Sequence, residues 1–342
     1  MLVIESQPTN RSAWPHRIAV LLVCTTFPLI WVGGLVTTKK AGMAVPDWPN
    51  TYGYNLFLYP VSTWIAGPFD LFVEHGHRLL GSAVGMISIA LVIAVALWDK
   101  RRGMLALSIV SLIAVIIQGV LGGARVVQDE VLLARIHGCF GPAFFALTVG
   151  LAVITSNRWH SIQAIVNPSA GRLQVVAVIT ASLAYVQLLI GSFLRHVPPG
   201  GSHGDFRVAV IFHVIVAFLV AAHAIALAVI AWRGFPEATA VRRQSAALSL
   251  VVLAQVGLGI AAWTFRYGWP TFLPGGELMP RFVINAESVA QAGVVTAHVA
   301  TGSLIVGMAV AIALYSFRYY SLSPEMMVSQ AADKSTLHGA KL

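Results

Sequence analysis

The chain has 342 residues, 57% hydrophobic and only 10% charged, with a formal net charge of +9 and a mean hydropathy of +0.79. Soluble domains carry about 25% charged residues, so this composition excludes an ordinary cytosolic globule. The positive residues sit in short segments between apolar runs, not on one basic stripe, which argues for membrane topology and against a nucleic-acid partner.

The apolar runs are long enough to cross ~30 Å of hydrocarbon as helix, and no period-2 alternation suggests a β-barrel. The first, 17–36, is followed by neither a small-residue cleavage site nor an Arg-rich amphipathic segment, so it reads as a retained helix. A stretch rich in Pro and Gly, 37–73, is too polar to cross. Span 2 (75–98) opens near FVEHGHRLLG, span 3 (104–123) ends in QGVLGGARV, and span 4 (134–155) opens with RIHGCFG. After a linker, span 5 (173–194) ends in QLLIGSFLRHV and leads to a loop, His196–Arg207. Span 6 (208–232) and span 7 (245–264, with QVGLGIAAWTFR) precede a second polar stretch, 266–290. Span 8 (293–317) carries HVATGS. Cys24 and Cys139 lie inside apolar runs and provide no disulfide framework or CxxC motif.

The expected fold is therefore all-α and polytopic, with eight transmembrane helices. The motif common to spans 3, 5 and 7 is a Gln, a small-residue patch and an Arg. With HRLLGS and HVATGS in spans 2 and 8, it suggests two parallel-repeat four-helix halves. The expected segments are 1–16 (cytoplasmic), 17–155 (first half, with outer loop 37–73), 156–172 (cytoplasmic linker), 173–317 (second half) and 318–342 (cytoplasmic tail). With the N-terminus inside, inner segments hold 13 Lys and Arg against 9 outside, and Trp98, Trp159 and Trp232 lie beside basic residues at the inner face. Both termini are expected in the cytoplasm of a bacterial cell, with the chain in its cytoplasmic membrane.

Four histidines lie near the outer ends of their spans: His77, His137, His213 and His298. Ionisable residues within a span point to function. Four at one depth, two in each half, favour metal ligation over packing. A six-coordinate haem iron takes one imidazole from each side. The residue four after each His is small (Gly81, Gly141, Ala217, Gly302), which leaves a groove on the same helix face where a porphyrin can lie. Zinc fits less well, because it favours closer ligand sets that include Cys or carboxylate. Glu74 precedes His77 by three residues and shares its face, as either a proton carrier or an interfacial partner of Arg78. His75 points off that face. His223 reads as a packing residue, and His196 and His203 as loop residues. Arg78, Arg125, Arg135, Arg195, Arg207 and Arg266 lie at the outer level, where Arg suits the carboxylates of haem propionates.

These residues resemble the haem A synthase family of the CtaA/Cox15 type. The likeness covers 17–317 and rests on EHGHR (74–78), RIHGCFG (135–141), FHVIVA (212–217) and TAHVATG (296–302), with VPDWPNTYG (45–53), QGVLGGARV and RHVPPG in support. It implies that His213 and His298 hold a resident haem b. It implies that His77 and His137 define the site where haem O is converted, with Glu74 essential to turnover. It implies oxidation of the C8 methyl of haem O to a formyl group through a hydroxymethyl intermediate, giving haem A for terminal oxidases. The first outer loop lacks the cysteine pair that some members carry, so no redox role for such a pair applies here. Expected partners are the haem O substrate, a haem O synthase and oxidase assembly factors, an electron donor that the sequence does not identify, and the lipid bilayer. Self-association into a homo-oligomer is compatible with the sequence. The alternatives are a bis-His di-haem b cytochrome that transfers electrons without hydroxylase activity, and a repeat-built transporter without iron.

Overall fold

The computed structural model describes residues 12–196, 202–268 and 288–321. In chain order it has α1 (Trp14–Thr38), a 3-10 turn (Ala41–Met43), α2 (Val61–Ile65), α3 (Phe69–Trp98), α4 (Arg102–Gln128), α5 (Val131–Thr155) and α6 (Asn157–Ser161). Then follow β1 (Ile165–Val166), α7 (Ala170–Arg195), α8 (His203–Gly234), α9 (Thr239–Tyr267), α10 (Val289–Tyr319) and β2 (Tyr320–Ser321). Eight of the helices are long and apolar enough to cross a membrane. At 25–32 residues they are roughly 38–48 Å long at 1.5 Å per residue, so each extends past the ~30 Å hydrocarbon layer.

Every span is longer than its apolar run predicts, because the helices continue into their polar flanks. Pro68, extended at φ −56° and ψ 146°, starts α3 at Phe69 rather than at 75, with Asp70 favourably placed in the first turn. The stretch expected as loop over 37–73 therefore contains α2 and the first turn of α3. The Ser202 hydroxyl accepts from the N–H groups of Gly204 and Asp205, so α8 begins inside the segment read as the loop His196–Arg207. Ser288 caps α10 in the same way, accepting from Gln291 N–H. Residues 269–287, the core of the second expected polar stretch, lie outside the described residues, as does the tail beyond 321. The linker over 156–172 is not featureless. It holds α6 and β1, and β1 pairs in parallel with β2, matching Ile165 to Tyr320.

The first four spans close a ring: α1 packs on α3 and α5, and α4 packs on the same two. Among the last four, α7 and α9 each pack on α8 and α10. The two groups meet along α5–α10, α1–α10 and α5–α7. Close approach at this seam relies on small residues. A Cβ at Gly307 of α10 would lie 3.0 Å from Cε1 of Phe145 on α5. Several hydroxyl groups inside the spans bond back to carbonyls one turn earlier, as Thr26 does to Leu22 (2.6 Å) and Thr180 to Val176 (2.7 Å), which satisfies them without water. At the ends of α8 and α10, the Arg242 guanidinium lies 4.1 Å from the Trp232 ring centre and that of Arg318 lies 5.8 Å from Trp159, as expected for an aromatic belt.

Candidate functional site

His77, His137, His213 and His298 stand six to ten residues into α3, α5, α8 and α10, roughly 9–15 Å along each axis. These are alternate spans of one chain, so their N-terminal ends lie on one side and the four imidazoles share one end of the bundle. Packing then sorts them into two pairs. The ring centres of His77 and His137 are 6.4 Å apart with planes at 84°. Those of His213 and His298 are 6.2 Å apart with planes at 65°.

This spacing is the test of whether haem iron fits. Metal–imidazole bonds are about 2 Å long, so two imidazoles gripping one ion from opposite sides place their ring centres roughly 6 Å apart. Both pairs meet that requirement. The Nδ1 atoms of His77, His213 and His298 are buried without a hydrogen bond, while the rings as a whole are only half-buried. Among the described residues, no three or more His, Cys, Asp or Glu side chains gather as a metal cluster. The donor set is two separate imidazole pairs.

The partners of each ring repeat with the same spacing. His137 packs against α4, where Nδ1 lies 3.2 Å from the Gln118 carbonyl and a Cβ on Gly122 would lie 3.0 Å from Cε1. The Gln118 side chain returns a bond from Nε2 to the His137 carbonyl at 3.0 Å. On α9, Gln255 Nε2 donates to the His298 carbonyl at 2.7 Å, and a Cβ on Gly259 would lie 3.0 Å from Cε1 of that ring. Gly191 of α7 faces His213 at 3.1 Å, and Gly33 of α1 faces His77 at 2.7 Å, by the same measure. The grooves predicted beside Gly141 and Gly302 are filled otherwise: a Cβ there would meet Gln118 Nε2 at 3.2 Å and Gln255 Nε2 at 3.4 Å. Gly81 borders open space as expected.

Glu74 does not stand free beside His77. It is 2% exposed. One carboxylate oxygen accepts from Val45 N–H at 2.8 Å, and the other accepts from Arg78 Nη2 at 2.8 Å. Arg78 also donates to the carbonyls of Val45 (2.8 Å), Asp47 (2.7 Å) and Asn50 (2.9 Å). The loop VPDWPNTYG is thereby tied down over the end of α3. His75 belongs to the same clamp: it is buried, with Nδ1 3.0 Å from Thr51 Oγ1, and packs on Tyr59 and Trp64. Its helical phase, which points away from His77, is what directs it to the loop. Within the loop, Asp47 accepts from the N–H groups of Tyr52 and Gly53, both at 2.8 Å. Burial raises the Asp47 carboxyl, but these N–H groups and the Arg78 guanidinium outweigh it and hold the group below the ordinary carboxylate range.

The arginines at the histidine end of the bundle divide. Arg125 donates to the Gly42 carbonyl (3.3 Å), and Arg135 donates to the His196 carbonyl at 2.6 Å through Nη2. Arg195 reaches across to α1, donating to the Gly34 carbonyl and to Thr38 Oγ1 (2.8 Å), with its Nε buried and unpaired. Arg207 is exposed. His196, read from sequence as a loop residue without a partner, caps α7, with Nδ1 2.9 Å from the Ser192 carbonyl. Burial, with the guanidinium groups of Arg195 and Arg135 nearby, pushes its imidazole down to about 4. His223 makes no such junction, since its Nδ1 lies 2.8 Å from Leu219 O in its own helix.

Residues 16–202 match the profile of a family described as "Cytochrome oxidase assembly protein", COX15-CtaA. No individual curated protein matches the chain.

Proposed function

The chain belongs to the COX15-CtaA family of cytochrome oxidase assembly proteins, and from that premise we propose that it is a haem A synthase of a bacterial cytoplasmic membrane. The observation that carries the reading is the pair of imidazole pairs, with ring centres 6.4 and 6.2 Å apart at one end of the bundle. In this reading His213 and His298 hold a resident haem b. Held by those two residues, that group would supply one-electron transfer when bound. His77 and His137 hold haem O as substrate. Its C8 methyl is oxidised to a formyl group in two steps, through a hydroxymethyl stage. The recurrent His, Gln and Gly spacing supports two equivalent four-helix halves.

The chain's own contribution is placement and exclusion of water. The loop fixed by Glu74, Arg78 and His75 covers the outer end of α3, beside His77. Gly123 adjoins Gly122 under His137, and a Cβ there would run into the Trp48 indole of that loop. The loop thus reaches α3, which carries His77, and α4, against which His137 packs. Glu74 holds a carboxylate three residues from His77, within the span.

The test is expression together with a haem O synthase, followed by extraction and chromatography of the bound pigments. Haem A together with the hydroxymethyl compound is the expected result. Protein that carries haem b and untouched haem O only would support the alternative, a di-haem cytochrome without hydroxylase activity. Orientation is tested separately. The excess of inner Lys and Arg predicts a reporter active in the cytoplasm when fused at residue 160 and inactive there when fused at residue 200. Cytoplasmic activity at 200 would overturn the placement of the sites toward the outer face.

A further inference from the structure

Each of the four histidines lies against a glycine of the preceding span, and no other side chain stands between them. The pairs are His77 with Gly33, His137 with Gly122, His213 with Gly191 and His298 with Gly259. A Cβ at these glycines would fall 2.7–3.1 Å from Cε1 of the ring, closer than a side chain carbon tolerates without displacement. The backbone residue one turn before each glycine is the ring's polar neighbour. For His137 it is Gln118, whose carbonyl is 3.2 Å from Nδ1. For His77, His213 and His298 the backbone of Leu29, Gln187 and Gln255 lies beside the ring, while Nδ1 makes no hydrogen bond. The spacing from polar neighbour to glycine is four residues in all cases, one helical turn.

We propose that Gly33, Gly122, Gly191 and Gly259 are positioning residues that fix the orientation of the four imidazoles. With no Cβ in the way, each ring packs against the neighbouring helix, and His137 sets its Nδ1 3.2 Å from the Gln118 carbonyl. A neutral imidazole that donates from Nδ1 keeps Nε2 as its free lone pair, and that is the nitrogen left for a metal. At His137 the role that a carboxylate or loop carbonyl plays beside most metal-bound histidines is taken by the backbone of a packed helix. Other glycines of the same spans do nothing of the kind: a Cβ at Gly119 of α4 or Gly257 of α9 would meet nothing within 4 Å.

The inference rests on the haem-ligand reading of His213 and His298, and its test separates the two. The full chain carrying Gly259→Ala, Gly191→Ala or Gly257→Ala is purified in detergent. Haem content, the low-spin ferric EPR signal and the midpoint potential are measured beside monodispersity and helical content. The EPR signal depends on how two axial imidazoles are turned relative to one another, so it reports orientation directly. Gly259→Ala and Gly191→Ala are expected to change that signal and to weaken haem retention by roughly 10–100-fold, the usual cost of losing an outer partner of a ligand. Gly257→Ala, on the same helix as Gly259, is expected to match the unmodified protein in all measurements. Unchanged EPR, potential and haem content in folded Gly259→Ala and Gly191→Ala would overturn the positioning role and leave the ligand reading standing. Failure of both to fold while Gly257→Ala folds would also overturn it, by making these glycines general packing residues. Absence of haem from the unmodified protein would instead remove the ligand reading itself.

Discussion

Replacing His213 or His298 with alanine is expected to remove most of the b-type absorbance of the purified protein, while His223→Ala retains it. His213 and His298 stand on α8 and α10 with ring centres 6.2 Å apart, so in the proposed haem-ligand role each would supply one of two opposed bonds, with no substitute nearby among the described residues. Among the described residues no third His, Cys, Asp or Glu joins them in a cluster. His223 lies ten residues further along α8, roughly 15 Å deeper, and its Nδ1 is already engaged with Leu219 O at 2.8 Å. Absorbance per folded molecule, read at the Soret band, is the measurement. Bleaching by His223→Ala together with an intact spectrum in His213→Ala would reverse the assignment. Because His77 and His137 are a separate pair, the same substitutions leave the first site structurally intact, so a variant bleached at the second site is still expected to fold.

Much of this arrangement is legible in the sequence, for reasons that differ from residue to residue. The eight spans follow from apolar length alone, because hydrocarbon admits no other continuous backbone structure for such runs than helix. The shared depth of the four histidines follows from counting antiparallel spans. Helix ends do not follow, since hydropathy falls off before the helix does. The polar start of α3 at Phe69–Glu74 is held by Pro68 and by the loop, neither of which an apolar window registers. The glycines that matter were visible as Gln118-xxx-Gly122, Gln187-xxx-Gly191 and Gln255-xxx-Gly259, but the register between two helices is written in neither of them. That register decides that Gly122, not Gly141, faces an imidazole. Gly33 carried even less signal, because Leu29 stands where the other three spans have Gln. His75 shows how helical phase can mislead: pointing away from His77 means pointing at the loop 39–68, which folds back onto α3.

Glu74→Gln is expected to give a protein that inserts, keeps its b-type spectrum and makes little haem A. The residue is on the same span as His77 and three positions before it, yet it is not an iron ligand, since His77 and His137 already face one another at 6.4 Å. The pair it forms with Arg78 is not the exposed kind worth roughly 0–1 kcal/mol. The two side chains are 3% and 10% exposed, and the carboxylate also takes the Val45 N–H. Glutamine preserves the shape and one carbonyl acceptor, and Arg78 keeps its three loop carbonyls, so a loss of about 1–3 kcal/mol in stability is expected, too little to empty the second site in the other half of the chain. Two roles for the carboxylate then remain to be separated, a charge that serves the oxidation and a tether for the loop. Asp47→Asn separates them. It loosens the same loop at Tyr52 and Gly53 and leaves Glu74 in place. If the charge itself is needed, haem A yield per haem-containing molecule falls steeply in Glu74→Gln and only slightly in Asp47→Asn. Equal losses in the two variants would make Glu74 a tether, and a near-normal yield from Glu74→Gln would end its catalytic role altogether.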